Sequence, residues 1–263
     1  MYPELFGIIK SFGLMLALSF ALGMWLSVVR GRVHGVDAET IMDLVFAVLV
    51  SSLVGVRLFY VVTHAAEFGA GGSFDPWYRA FFIWDGGLTL YGGIVLSTAT
   101  VWWLARRRGV SFLVMADIFS PGVILGIGLT RIGCFMAGCC FGLPTGHACG
   151  VQFPAGAPAW RIFGDVSVHP TQLYGSAAGF LIFILLLLAE RWRPVLGATF
   201  GRFMVLYGLA RFAEDFFRYY EPEQRMALGW TNNQWISLTL VAAGLALLVV
   251  RCRRSREVPS RDT

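Results

Sequence analysis

Apolar residues run through this chain in seven long blocks, and polar residues gather at the block ends. The blocks are Ser11–Val29, Ile41–Val62, Gly87–Ala105, Phe112–Leu129, Pro170–Ala189, Ala198–Phe217 and Gln234–Val250. A bilayer-spanning helix needs about 20 predominantly apolar residues, and each block approaches that length. The pattern predicts an all-α, polytopic membrane protein with seven transmembrane helices. Thr130–Val168 is the longest segment outside the blocks and reads as a loop region between spans 4 and 5. His64–Arg79 is a shorter, glycine-containing connection with partial helical character. Residues 1–254 read as a single membrane domain and residues 255–263 as a disordered tail.

The charges set an orientation. Arg30 and Arg32 follow span 1, Arg106, Arg107 and Arg108 close span 3, Arg191 and Arg193 close span 5, and Arg251, Arg253 and Arg254 close span 7. Basic clusters mark cytoplasmic loops, so the pattern predicts the N-terminus outside and the C-terminus inside. The nearly neutral residues before span 1 argue against a cleaved signal peptide. On this topology Thr130–Val168 lies on the outer face.

Composition agrees. The chain is 57% hydrophobic and only 14% charged, whereas roughly a quarter of the residues of a soluble domain are charged. Its 22 Phe and 9 Trp suit lipid-facing and interfacial positions. The net charge of +5 resides largely in the inter-span clusters, so it reads as topology rather than as nucleic-acid binding.

The few polar residues inside or beside the blocks converge on one depth. Arg57 falls on the outer half of span 2, Asp85 and Tyr91 at the outer end of span 3, and His169 at the outer start of span 5. Arg131 is placed where span 4 ends. Arg211, Asp215 and Arg218 follow one face of span 6 at i, i+4 and i+7. Charges in a bilayer are costly and usually functional. Several arginines oriented by carboxylates suit a phospholipid headgroup. Gly86, Gly87, Gly92 and Gly93 would let a lipid approach the backbone. The plainer alternative is that the arginines snorkel and pair with Asp85 and Asp215 for packing alone. His169 is either a hydrogen-bonding cap or a base. Asp117 reads as a helix-start acid.

Four of the five cysteines, Cys134, Cys139, Cys140 and Cys149, cluster in the outer segment, and Cys252 lies near the C-terminus. The spacing lacks the C-x2-C pairs typical of zinc, so no metal and no cofactor are expected. A structural disulfide or small buried thiols are the plain readings, and a redox pair is the sharper one.

Four motifs together carry a resemblance. They are Trp84-Asp-Gly-Gly-Leu-Thr-Leu-Tyr-Gly-Gly93, Arg131-Ile-Gly-x-Phe-x-x-Gly138, His169-Pro-Thr-Gln-Leu-Tyr174 and Tyr207-Gly-Leu-Ala-Arg-Phe-Ala-Glu-Asp-Phe-Phe-Arg218. In order and spacing they resemble the bacterial prolipoprotein diacylglyceryl transferases. Phe12-Gly-Leu-Met15, Gly55-Val-Arg57 and Gln234 look like further landmarks of that family.

The resemblance implies an enzyme of the bacterial plasma (inner) membrane whose site opens to the outer leaflet. It would take phosphatidylglycerol and move the diacylglyceryl group onto the lipobox cysteine of a prolipoprotein signal peptide, releasing glycerol phosphate. Membrane lipids would be its other partners. By the same resemblance Tyr91, Arg131, Cys134, Arg211 and Asp215 are the expected catalytic residues. Substrate contacts are expected from Phe12, Arg57, Asp85, Gly86, Gly87, Gly92, Gly93, Gly142, His169, Gln172, Tyr174, Tyr207 and Arg218.

The chain departs from the family pattern at five places. Phe12 stands where Tyr is usual, Tyr91 where His is usual, and Cys134 where Asn is usual. Cys139 and Gly175 each stand where Glu is usual. Gly142, Arg211 and an acid at Asp215 are kept. Tyr, with a reference pKa near 10, is a poorer base than His. Two other readings therefore accompany the transferase: a non-catalytic lipid- or lipoprotein-binding paralogue, and a membrane thiol-redox protein using Cys134, Cys139, Cys140 and Cys149.

Overall fold

The apolar blocks fold as helices. A computed structural model describes residues 4–5, 9–68, 77–82, 87, 89–192, 195–221 and 229–257. Its α-helices are α1 (Ser11–Val33), α2 (Ala38–Thr63), α3 (Leu90–Arg107), α4 (Phe112–Ala137), α5 (Pro158–Phe163), α6 (Thr171–Trp192), α7 (Ala198–Asp215) and α8 (Asn232–Glu257). A two-residue strand pair, Glu4–Leu5 with Ile9–Lys10, precedes α1. Two short 3-10 turns, Ala65–Phe68 and Trp77–Phe81, lie in the predicted outer connection.

Among the described residues, five helices have segments long and apolar enough to cross a membrane: Ser11–Val33, Ala38–Thr63, Phe112–Ala137, Thr171–Arg191 and Asn232–Arg253. The other two expected spans correspond to α3 and α7, each 18 residues long. α7 carries Arg202, Arg211, Glu214 and Asp215, which lower its hydropathy. Large apolar side chains face outward, with Trp25 63%, Phe46 66% and Val95 66% exposed. Apolar exposure on this scale belongs in lipid rather than water.

Contacts divide the chain into two units, Val28–Met115 and the combination of Met1–Ser27 with Ala116–Thr263. In the smaller unit, Asp37 caps α2 by accepting from the Thr40 amide at 2.7 Å. Gly55 of α2 meets Gly92 of α3 backbone to backbone, and a Cβ on either would strike the other helix. Lipid is as apolar as Leu, so such close approach, rather than hydrophobic burial, holds membrane helices together. Near the predicted inner end, Arg106 stacks over Trp102 at 4.6 Å and Arg107 over Trp103 at 4.2 Å.

The larger unit uses the same device. A Cβ on Gly179 of α6 would lie 3.0 Å from the Gly128 Cα of α4. Ile124, Ile182 and Leu186 form a buried cluster there, backed by Phe203 and Tyr207 of α7. Asp117 serves the start of another helix. From the second turn of α4 it accepts the amides of Gly197 at 2.5 Å and Phe200 at 2.8 Å, capping α7. Gly197 has no side chain to cap with, and its φ of 83° turns the chain into α7. Thr231 and Gln234 make a capping box at α8: the Thr231 amide donates to Gln234 Oε1 at 3.0 Å and the Gln234 amide to Thr231 Oγ1 at 3.2 Å.

One boundary differs from expectation. α4 continues past Leu129 through Arg131 to Ala137 and stops at Gly138, whose φ is 71°. Thr130 and Arg131 read as terminators, but Thr130 bonds back to the Gly126 carbonyl at 2.8 Å and Arg131 finds an acid inside the protein. The segment after α4 is no open loop. Phe141, Phe153, Ala159 and Val168 build a small core of their own, and isolated bridges pair Gly142 with Arg218 and Val151 with Val168.

Candidate active site

α4 and α7 supply the charges at the centre of the larger unit. Arg211 is 8% exposed. Its Nη1 lies 2.6 Å from Asp215 Oδ1, and its Nη2 donates to the Tyr220 hydroxyl at 2.7 Å. Tyr220 in turn donates to Asp215 Oδ1 at 2.7 Å, Asn233 donates to Tyr220 at 3.0 Å, and Thr231 donates to Asp215 Oδ2. Both Asp215 oxygens are engaged, so this carboxylate orients Arg211. Burial raises the Tyr220 pKa above its ordinary value, which keeps the hydroxyl protonated as a donor.

Glu214 joins the two arginines. Its Oε1 lies 3.5 Å from Arg131 Nη2 and 3.4 Å from Arg211 Nη1. Two guanidinium groups from different helices thus converge on one buried carboxylate oxygen. They line a cleft with Gly175, Tyr207 and Glu214, and Ile124, Ile127 and Ile182 give it apolar walls. Gly175 leaves room there: a Cβ at that position would lie 3.0 Å from Glu214 Oε2 and 3.2 Å from Arg131 Nε. Gly175 is where the resemblance led us to expect an acid, and in this structure the acid beside Arg131 is Glu214 of α7.

The remaining expected residues of this unit surround that centre. Phe12 lies beside α4, since a Cβ on Gly133 would sit 3.2 Å from its Cα. Gly142 is required by packing, because a Cβ would meet the Phe217 carbonyl at 2.5 Å and His169 Cβ at 2.6 Å. His169 Nδ1 lies 3.1 Å from the Tyr174 hydroxyl, which is 3.3 Å from Cys149 Sγ. His169 also packs edge-on against Phe217. Gln172, fully buried, donates to the Cys139 carbonyl at 2.7 Å. Tyr207 stacks on Phe203, and the Arg218 guanidinium lies over the Tyr220 ring at 5.4 Å.

Cys134, on α4, is buried and its sulfur sits with those of Cys139 and Cys140 within 4.8 Å of one another. All five cysteines are free thiols in this structure. Hydrogen bonds from Cys134 and Cys139 hold the Cys140 thiol below its ordinary pKa, and the charges of Arg218 and Arg131 act the same way. Accordingly the Cys139 thiol is pushed up by its two neighbours.

The smaller unit holds the other expected residues. Arg57 is 4% exposed and donates to the Gly87 carbonyl at 3.0 Å and the Arg79 carbonyl at 2.6 Å. It ties the 3-10 turn of Trp77–Phe81 to α2. Gly87 has φ 65° and abuts the Tyr60 ring, so glycine is needed there. Gly92 meets α2 as described, and a Cβ on Gly93 would lie 2.7 Å from Val56 of α2. These two glycines serve helix packing rather than an open lipid-facing surface. Tyr91 is 41% exposed in the first turn of α3. Asp85 and Gly86 lie outside the described residues.

Sequence reasoning missed Glu214, Tyr220 and Thr231. Glu214 stands three residues after Arg211, a facing position on a helix, and was legible on that ground. Thr231-Asn-Asn-Gln234 was legible as a capping box. Tyr220 reaches Asp215 only through the turn after α7, which no local pattern announces.

The chain has relatives along nearly its whole length. The family model for prolipoprotein diacylglyceryl transferase matches residues 4–250. A phosphatidylglycerol–prolipoprotein diacylglyceryl transferase of Pseudoalteromonas atlantica is 34% identical over 256 residues, covering 94% of this chain and 87% of that protein. The protein of the same name from Methylocella silvestris is 36% identical over 230 residues, covering 85% and 79%. That of Stenotrophomonas maltophilia is 32% identical over 265 residues, covering 92% and 88%. With a match over nearly its whole length, the chain belongs to the prolipoprotein diacylglyceryl transferase family.

Proposed function

We propose that this protein transfers the diacylglyceryl group of phosphatidylglycerol to the lipobox cysteine thiol of a prolipoprotein, at the outer leaflet of the bacterial plasma membrane. The observation that carries the reading is the convergence of Arg131 and Arg211 on Glu214 in an apolar-walled cleft. In the reaction the thiol sulfur attacks the glyceryl carbon bonded to the phosphate ester oxygen. A C–S bond forms, the C–O bond breaks, and glycerol phosphate leaves with the bonding electrons. The thiol proton is lost to a base or to solvent. Charge therefore develops on the leaving phosphate, where two fixed guanidiniums in a low-dielectric site stabilise it most. The names of the relatives support the same donor and acceptor.

The arginines have distinct parts. Arg211 is fixed by Asp215 and Tyr220 and serves as a rigid donor. Arg131 has its ion pair with Glu214 at 3.5 Å and can turn toward phosphate oxygens. The apolar walls of Ile124, Ile127 and Ile182 suit the lipid's acyl region. The basic clusters after spans 1, 3, 5 and 7 support seven spans with the N-terminus out and the C-terminus in. That topology puts Arg131 and Arg211 toward the outer leaflet, where a translocated precursor presents its cysteine.

The test is lipid retention and transfer in Arg131→Gln and Arg211→Gln, measured together in mixed micelles. Both should lose phosphatidylglycerol binding and transfer in parallel, with Lys at either position rescuing only in part because it lacks the bidentate fork. Full transfer in Arg131→Gln would remove that arginine from the mechanism.

A further inference from the structure

We propose that Cys134, Cys139 and Cys140 form a binding site for one thiophilic d10 metal ion, with Cu(I) as the best fit. The linear spacing of the cysteines argued against a metal, because it contains no C-x2-C pair. The fold removes that objection. α4 runs about two turns further than its apolar block and presents Cys134 from the last of them, beside the chain that leaves it. The Cys139 amide donates to the Cys134 carbonyl at 3.1 Å, which closes the turn beneath the sulfurs. Cys140 takes a φ of 61°, the single non-glycine positive φ among the described residues. A side chain seldom accepts that backbone without compensation. Here it accompanies a thiol directed onto the other two.

The trio is held from outside as well. Gln172 donates to the Cys139 carbonyl at 2.7 Å and Thr171 to the Cys140 carbonyl at 2.8 Å, so the first turn of α6 clamps both peptide groups. The pairing of Gly142 with Arg218 fixes the segment two residues further on. Three sulfurs bound in a plane to one ion at about 2.3 Å would stand roughly 4 Å apart. The observed sulfurs all lie within 4.8 Å of one another, so closure needs less than an ångström of movement.

Soft thiolates select Cu(I) or Zn(II) over hard cations. Among the described residues no fourth Cys, His, Asp or Glu joins the trio. A three-sulfur set completes the coordination of Cu(I), whereas Zn(II) would need a water as fourth ligand. The excess negative charge of three thiolates is offset by Arg131 and Arg218, whose fields reach Cys140. Cys149 is not part of the set, since its sulfur contacts the Tyr174 hydroxyl. The proposal is independent of the transfer reaction, because it is read by stoichiometry and thiol protection.

The experiment uses the full chain in detergent, reduced and freed of metal by chelation, then titrated anaerobically with Cu(I) against a chromophoric Cu(I) chelator. One equivalent should bind with sulfur-to-copper charge-transfer absorption. Alkylation followed by peptide mass spectrometry should show Cys134, Cys139 and Cys140 protected, while Cys149 and Cys252 react as in the metal-free protein. This second readout needs no variant. Cys134→Ser and Cys140→Ser should each weaken binding roughly 100-fold or more, and Cys252→Ser should not change it. Absence of the absorption band, protection confined to Cys149 or Cys252, or unchanged affinity in both serine variants would overturn the site.

Discussion

Moving the acid beside Arg131 from α7 to α6 tests whether one carboxylate position serves both arginines. Glu214 Oε1 serves Arg131 and Arg211 at 3.5 and 3.4 Å, with the Glu214 side chain 8% exposed and the arginines 15% and 9%. Removing one partner of such a buried pair costs about 3–5 kcal/mol, mostly from the charge left behind. Glu214→Gln leaves two guanidiniums facing each other, so it should lower the unfolding midpoint in detergent. Misplacing a catalytic group by an ångström costs about 100-fold in rate, and transfer should fall by that order. Gly175→Glu alone should also be harmful. Its Cβ would stand 3.0 Å from Glu214 Oε2, and two carboxylates about 4 Å apart repel by about 4 kcal/mol at an effective dielectric of 20. The double variant removes that repulsion and restores one acid beside Arg131, whose Nε is 3.2 Å from the new Cβ. It should therefore be more stable and more active than either single variant, a coupling above about 1.4 kcal/mol or tenfold. Thermal unfolding and initial transfer rates of the four proteins measure both quantities. Additive losses would refute the idea that one carboxylate position is shared between the two helices.

Asp117→Ala removes the acceptor for two amides at the start of α7 and should cost about 2 kcal/mol, lowering the unfolding midpoint by roughly 5 °C; an unchanged midpoint would remove the inter-helix cap. Gly179→Leu should wedge α6 off α4 at Gly128 and destabilise by about 1–3 kcal/mol, read by the same unfolding curve. Tyr91→Phe keeps the ring and deletes the hydroxyl; it should retain partial transfer with the pH dependence still set by the acceptor thiol, and a loss of several orders of magnitude would make Tyr91 the base. A membrane-impermeant thiol reagent on intact spheroplasts should leave Cys252 unlabelled, and clear labelling would reverse the orientation.

Hydropathy blocks made the helices legible, because in lipid the length and apolarity of a segment nearly dictate its structure. Arg211 and Asp215 were legible as a pair because i, i+4 spacing fixes their facing. The end of α4 was not. A polar Thr-Arg step ends an apolar block equally well at a helix terminus or at a buried ion pair, and only Glu214, far along the chain, decides between them. Glu214 itself was hidden beside Asp215, the acid that matched the motif. Asp117 was misread because capping was assumed to be local, while its partners lie eighty residues on at Gly197 and beyond. The cysteine trio was obscured by reading spacing along a line, whereas the left-handed turn at Cys140 folds that line back on itself.

The most direct test of the account is a transfer assay with phosphatidylglycerol labelled in its acyl chains and in its headgroup glycerol, together with a peptide bearing a lipobox cysteine. The peptide should gain one diacylglyceryl group as a thioether at the cysteine, while labelled glycerol phosphate appears in equal amount. Arg211→Gln should abolish both products. Retention of phosphatidylglycerol by the wild-type protein with neither product formed would contradict the transferase reading.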